Sequence, residues 1–390
     1  MVSTTAVIAQ GLFSYQIGGS EKIGVELALE LKRRGFPVVC FAFHGSEGPM
    51  RAELERAGIR CLDVNYDCYR GILKRPRYLW DIWRMLRRER VQALHVHHAA
   101  ALILCGIPAW LARVRTVLMT EHGLHQLREQ PRYRRSARYY CRYASDISVV
   151  EPTQIDYFHE ILAVPRARLH FIANGTRVPV GDAEYVRRTR RQLGLTEGEF
   201  AFFYAGRLHF EKDLGTLLRA FAALPADVLG RSRLYLVGEG AERASLEATR
   251  DALGLGERAA FLGPRGEVGE LLLAADAFVM SSKTEGLPMV LLEAMAARIP
   301  CVATAVGGIP ELFAGDRGLA VTPGDAAALA AAMAAVARSP ELRARLVANA
   351  LENLRRNHSF ETMVERYLQL LGLPVAAADS PPAASSPRTG

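Results

Sequence analysis

Asp276 to Pro300 reads DAFVMSSKTEGLPMVLLEAMAARIP. The run AFVM has the length and composition of a buried strand, ending at Ser281-Ser282. A loop, Lys283–Gly286, leads into a helix expected to begin near Leu287-Pro288. Proline fits the first turn, where its missing N–H costs nothing. A helix start offers free backbone N–H groups and a positive dipole end, both suited to phosphate or sugar oxygens. Glu285 stands in the loop, and Glu293 about a turn and a half into the helix. A carboxylate at 293 can accept two hydrogen bonds from a ribose diol. One at 285 can grip sugar hydroxyls or counter positive charge at a reacting carbon. A helix cap and a solvated helix glutamate would account for the same residues. Position favours chemistry, because α/β sheets bind ligands beyond the C-terminal ends of parallel strands.

The flanking sequence repeats this strand-then-helix rhythm. FAFFYAG, RLYLVGEG, AAFLG, DAFVMSS, PCVAT and LAVT read as strands in the second half. AVIAQ, VVCFAF, ALHVHH, TVLMTEH, DISVV and LHFIAN read as strands in the first. Helical periodicity fills the intervals, as in EKIGVELALELKRRG. Such βαβα alternation predicts parallel sheets wrapped by helices. Residues 178–198 are polar and read as a linker running into a helix, after which the pattern starts afresh. A chain of 390 residues suits two domains at about 150 residues each. Ser339 and Ser359 are expected N-caps of two late helices, and Gly372 the end of the second. The final residues, PVAAADSPPAASSPRTG, lack an apolar period and are expected to be disordered.

Strand ends elsewhere carry further candidates. Phe203–Lys212 (FYAGRLHFEK) places Gly206, Arg207 and Lys212 at one strand end, where two cations would clamp a diphosphate or serve structural ion pairs. LVGEG and LGPR end two more strands with Gly238, Gly263 and Arg265, where glycine lets backbone approach a flat ligand such as a base. Gly18-Gly19-Ser20-Glu21 follows the first strand and opens a helix, with Ser20 the expected N-cap. Neither G-x-G-x-x-G nor a P-loop occurs, which disfavours a nicotinamide site and a P-loop NTPase. His95, His97, His98, His122 and His125 gather near two strand ends without acidic ligand spacing. His122 fits either a satisfied structural histidine or a group facing a cleft.

Composition bounds the class. Half the residues are apolar and 23% charged, which excludes global disorder, collagen and coiled coil. No apolar run approaches the ~20 residues of a membrane span, and MVSTTAVIAQG has no basic leader, so no signal peptide is expected. The six cysteines lack C-x-x-C or zinc spacing, as reduced cytosolic thiols would. Residues 1–180 hold 26 Lys/Arg against 16 Asp/Glu, a net of +10, and the remainder 23 against 25, a net of −2. The excess lies in Tyr69–Arg90 and Arg128–Tyr143, where arginines interleave with Trp, Tyr and Leu. This composition suits an anionic membrane surface, a nucleic-acid phosphate backbone or a solvated helix face.

Taken in order, GGSE, HVHH, TEHG, FIANG, AGRL…EK, LVGEG, TEGLPMVLLEA and ATAVGGIPE resemble the retaining glycosyltransferases of family 4 with the GT-B fold. The likeness runs from about residue 5 to residue 370. It implies two tandem Rossmann-like doubly wound domains, 1–178 on the acceptor side and 179–357 for the donor. A helix at 358–372 would cross back to the first domain, followed by a tail at 373–390. The donor would be a nucleotide-diphosphate sugar, the acceptor a glycan or lipid-linked hydroxyl in bacterial exopolysaccharide or surface-glycan assembly. The setting would be cytoplasmic, peripheral on the inner membrane face, with no metal cofactor and no nucleic-acid partner. By position, Arg207 and Lys212 match the diphosphate pair and Glu293 the ribose glutamate. Glu285 matches the carboxylate near the donor sugar, and Gly286, Leu287 and Pro288 the helix-start amides. Gly18 and Gly19 match the first-domain phosphate loop, and His122 the histidine near the sugar. Arg207, Lys212, Glu285 and His122 would carry catalysis. Two departures stand out: Val150-Glu151, before Pro152, where serine is usual, and Arg177 where an acid is common. Rival expectations are a nucleotide-sugar epimerase, an inverting GT-B transferase, or a non-catalytic nucleotide-sugar or nucleic-acid binding protein.

Overall fold

The structure is a computed structural model that describes residues 6–16, 18–64, 75–265 and 268–374. Part of the basic run Tyr69–Arg90, and the tail beyond 374, lie outside the described residues. Seven strands form the first sheet: β1 (Val7–Ser14), β2 (Val38–His44), β3 (Arg60–Asp63), β4 (Val91–His97), β5 (Thr116–Glu121), β6 (Asp146–Val149) and β7 (Leu169–Phe171). All pair in parallel, in the order β3-β2-β1-β4-β5-β6-β7. The second sheet contains β8 (Phe200–Ala205), β9 (Ser232–Val237), β10 (Ala259–Gly263), β11 (Ala277–Met280), β12 (Cys301–Thr304) and β13 (Leu319–Val321). It is parallel too, ordered β10-β9-β8-β11-β12-β13.

In each sheet the winding reverses once, between β1 and β4 and between β8 and β11. At such a switch point neighbouring connections leave toward opposite faces and open a crevice beyond the strand ends. The glycine pair at 18–19 follows β1, Arg207 and Lys212 follow β8, and Glu285 follows β11. Topology alone therefore brings the sequence candidates to two crevices. The short edge strand β3 is an addition to the expected set. It has four residues with charged ends, too few for an apolar period, and Arg51 pairs with its Asp63 at 2.5 Å.

Two apolar cores each cover one sheet face. A third is continuous across both halves of the chain: Ile23 and Leu27 belong to it with Leu291, Met295, Phe360 and Tyr367. The helix Phe360–Leu370 begins at Ser359, whose side chain accepts from the Thr362 N–H, and runs back over the first sheet. Tyr367 is fully buried there, its ring 5.1 Å from His95 and its hydroxyl 3.4 Å from Thr120 Oγ1. Ser339 likewise caps the helix Pro340–Asn357.

Arg177 explains itself at this junction. Its guanidinium lies 3.9 Å from the Phe360 ring centroid and donates to Glu30 Oε2 at 2.7 Å. Glu30 is buried and also accepts from Arg33 and Arg34. The hydrogen bond from Arg33 leads in holding the Glu30 carboxyl down at about 2, against an ordinary 4.5. A depressed carboxyl stabilises the fold fully above its unfolded value, and loses that contribution as pH falls from about 4.5 toward about 2. With Arg33 largely exposed, the effect is set at about 2 kcal/mol. Glu30→Gln should lower urea-denaturation stability by that amount at pH 7 and flatten the decline below pH 4.5. An unaltered acid limb would remove Glu30 from this role.

Candidate active site

The loop after β11 is built from the strand outward. Ser281 Oγ donates to the Lys212 and Asp213 carbonyls at 2.9 and 3.0 Å, and Lys283 N–H to the Glu211 carbonyl at 2.7 Å. These bonds tie the β8 and β11 loops together. They bring Lys212 Nζ to 2.6 Å from Glu285 Oε1, which also accepts from Ser282 Oγ at 2.5 Å. Lys212 and Glu285 are 17% and 9% exposed, so their charges meet largely out of water. Gly307 supports the same loop. Its φ is 55°, and a Cβ there would stand 2.1 Å from the Glu285 carbonyl oxygen. The sequence reading did not single it out as a site residue.

The following helix spans Met289–Ala296 with Pro288 as its N-cap. This corrects the expected start and one expected role. Pro288 lies before the first turn, and with no N–H it cannot be a helix-start donor. Leu291 N–H is taken by the Pro288 carbonyl, which leaves Met289 and Val290 to present N–H groups. Glu293 follows one turn in, 7% exposed. Its Oε1 accepts from Lys22 Nζ at 2.8 Å, a contact between residues 271 apart in sequence. Lys22 lies on the helix Gly19–Arg33 that follows β1, so this pair spans the two halves of the chain. Burial would depress the Lys22 amine, but the Glu293 carboxylate outweighs it and raises the pKa. Glu26, 4.0 Å from Lys22, is pushed up to about 7, chiefly by burial.

Gly18 is the N-cap of that first helix, and no side chain caps it. Ser20, expected in that place, lies inside the helix and donates to Glu21 Oε2 at 2.8 Å. A Cβ on Gly19 would be 3.9 Å from the Met289 side chain, so the β1 loop faces the start of the helix Met289–Ala296. Gly238 has φ 135°, and a Cβ there would lie 1.9 Å from the Gly206 carbonyl oxygen. Gly206 N–H donates to Val237 and Gly238 N–H to Gly263, at 3.0 and 2.9 Å. Glycine at 238 is thus required by the chain's own close approach. Arg207 is exposed on this edge and forms no salt bridge among the described residues; Arg265 is exposed at the end of β10.

His122 closes the site from the first sheet. Its carbonyl oxygen is 3.2 Å from where a Gly286 Cβ would stand. Its Nε2 is 2.9 Å from His97 Nδ1. Burial, with His98 and His97 nearby, keeps His122 well below the ordinary imidazole value, so the ring is neutral near pH 7. His98 has φ 71° and pairs with Glu121 at 2.8 Å. Burial opposes its charge, but Glu121 raises its pKa. Glu121 also accepts from the Ala99 and His122 N–H groups at 3.0 and 3.1 Å, fixing the loop that carries His122. Glu151 sits nearby, its buried Oε1 without a hydrogen-bond partner among the described residues and 3.5 Å from the Gly286 Cβ position. His95 bonds Thr120 in the core, and His125 pairs with Glu129 at the surface. No three His, Cys, Asp or Glu side chains converge to hold a metal ion among the described residues.

The arrangement can meet an anion with Lys212, Arg207 and a helix start, hold hydroxyls with Glu285 and Glu293, and cover both from the opposite lobe. The chain as a whole is similar to known proteins. Residues 17–178 match Glycosyltransferase Family 4, and residues 186–353 match Glycosyl transferases group 1. The chain is 27% identical over 363 residues to N-acetyl-alpha-D-glucosaminyl L-malate synthase of Bacillus anthracis, covering 90% of this chain and 93% of that one. It is 30% identical over 267 residues to the putative glycosyltransferase EpsD of Bacillus subtilis, covering 65% and 69%. HepE of Anabaena in complex with UDP-glucose superposes with a TM-score of 0.82 over 94% of this chain and 99% of that one, at 22% identity. The chain therefore belongs to the family 4, group 1 glycosyltransferases and has the GT-B fold. It is an enzyme that transfers a sugar from a nucleotide-sugar donor.

Proposed function

We propose that this enzyme moves a hexosyl group from a uridine-diphosphate sugar to a glycan or lipid-linked acceptor hydroxyl, with retention at the anomeric carbon. The observation that carries the reading is the Lys212–Glu285 pair at the β8/β11 crevice, with Glu293 beside it. Residues 179–357 hold the donor and residues 1–178 the acceptor. Glu293 takes the ribose diol, while Arg207, Lys212 and the amides of Gly286, Leu287 and Met289 take the diphosphate. Gly18 and Gly19 approach the phosphates from the other lobe. Gly206, Gly238, Gly263 and Arg265 line the base side.

As the anomeric carbon–oxygen bond lengthens, negative charge gathers on the diphosphate and positive charge on the sugar ring. Arg207, Lys212 and the helix dipole stabilise the first, in the role that a metal ion serves elsewhere. Glu285, oriented by Lys212 and Ser282, and the neutral His122 face the second. The leaving phosphate oxygen takes the acceptor proton on the same face. Contact between the lobes excludes water.

A basic and aromatic face supports action at an anionic membrane. Trp80 and Trp110 are 57% and 65% exposed on helices that cover the first sheet. No helix among the described residues is long and apolar enough to cross a membrane. Attachment would therefore be to the surface, at the cytoplasmic leaflet. The test is a screen of nucleotide-sugar donors for nucleoside-diphosphate release, followed by proton NMR of the product. An α product from an α-linked donor is expected. An inverted anomer, or no release from any donor, would overturn the reading.

A further inference from the structure

An open cavity of about 570 Å³ lies on the first lobe, lined by Arg135, Arg138, Arg142, Arg168, Tyr139 and the Leu162–Val164 turn. It adjoins Ser145 and Arg168, which precede β6 and β7. The cavity therefore sits at the N-terminal edge of the parallel sheet, whereas the donor crevice lies at the C-terminal edge. It serves neither donor nor leaving group.

Its four cations are not equivalent. Arg168 is committed to backbone: it donates to the Cys141, Ala144 and Ser145 carbonyls. Arg142 donates to the Tyr139 carbonyl at 2.8 Å and lies 4.0 Å from the Tyr139 ring centroid. These contacts commit N–H donors of both guanidinium groups to helix-end carbonyls. Arg135 and Arg138 differ. They stand three residues apart on the helix Pro131–Tyr140 and form no hydrogen bond or salt bridge among the described residues. No acidic side chain lines the cavity. Like charges at this spacing repel unless an anion lies between them, and guanidinium forks match phosphate oxygens bidentately. Ala163, in the left-handed region at φ 57°, shapes the opposite wall.

The surroundings say which phosphate. Tyr139 is 45% and Trp110 65% exposed; Tyr143 stands between them, its ring 6.2 Å from Tyr139 and 6.4 Å from Trp110. Amphipathic rings settle at the headgroup level of a bilayer, where lipid phosphate also lies. A free anion in solution would have no use for them.

We infer that the cavity between Arg135, Arg138 and Tyr139 binds the phosphate of an anionic lipid headgroup, giving the membrane face a specific anchor. This rests on the membrane reading above and adds a site to it. The test compares full-length wild type, Arg135→Gln/Arg138→Gln, and a control pair, Arg84→Gln/Arg87→Gln. The control removes the same charge at the same spacing from the helix Arg75–Arg88. Each is sedimented with phosphatidylcholine vesicles with and without phosphatidylglycerol, and titrated calorimetrically with uridine diphosphate and glycerol 3-phosphate.

Wild type should bind the phosphatidylglycerol vesicles. The cavity pair should weaken that binding at least about tenfold more than the control pair, with uridine diphosphate affinity unchanged in all three. Equal losses in the two pairs would overturn the cavity site while leaving membrane docking intact. Failure of wild type to bind either vesicle would overturn both. Glycerol 3-phosphate binding that the cavity pair abolishes, without vesicle binding, would assign the site to a soluble phosphate and reject the lipid.

Discussion

Lys212→Ala should lower the transfer rate at saturating donor by about 10²–10³-fold, the scale seen when one preorganised charge at a developing anion is removed. Two effects combine. The ammonium no longer meets the charge shed onto the diphosphate. Glu285, 9% exposed, also loses the partner 2.6 Å away that fixes its orientation. Glu285→Gln keeps the shape of the loop and the Ser282 contact but removes the charge, and should cost a similar factor. Because the two side chains act as one pair, the losses should not add. The double variant should fall only slightly below the worse single, a signature that independent sites do not give. Initial rates of nucleoside-diphosphate release measure all three. Thermal melts within a few degrees of wild type show that the fold persists. Retention of activity within about threefold in both single variants would remove the pair from the chemistry.

Much of this site could be read along the chain because the fold delivers it by local rules. A strand, a turn and a helix are contiguous in sequence, and the crevice lies where strands end. Glu285, Arg207 and Lys212 were therefore placed beyond their strand ends, and Glu293 on the helix that follows, without a structure. The caps at Ser339 and Ser359 depend on three successive residues and were equally legible. Strand β3 was not, because four residues with charged ends carry no period. Pro288 shows the limit at helix ends: proline marks the boundary, but its place inside or just outside the first turn depends on one dihedral. Lys22 and Gly307 were missed for another reason. Each acts on a residue far away in sequence, and no periodicity announces a partner brought near only by packing. Arg177 stood out only as an unusual residue. Its reason is Glu30 on a helix 147 positions earlier, together with the Phe360 ring.

Lys22 leads to the second large effect. Its ammonium pairs with the carboxylate of Glu293 at 2.8 Å, the group assigned above to the ribose diol. A diol must therefore displace the lysine or share the carboxylate with it. Glu293→Ala should raise KM for the donor about 100-fold, since a charge-assisted diol contact is lost at a site built for it, and should leave kcat within a few fold. Lys22→Met should act in the opposite sense on donor binding. With its competitor gone, Glu293 binds the diol more tightly, by about tenfold at pH 8. Unpaired and mostly buried, it also costs the free enzyme stability, on the order of 1–3 kcal/mol for a pair whose lysine is 31% exposed. Uridine diphosphate should then protect Lys22→Met against heat more than it protects wild type, because the ligand restores the missing partner. Calorimetric titrations and melts at pH 8 would show both trends. A Lys22→Met enzyme with weaker donor binding at pH 8 would mean that the lysine helps to hold the donor, and the competition argued from the 2.8 Å contact would be wrong.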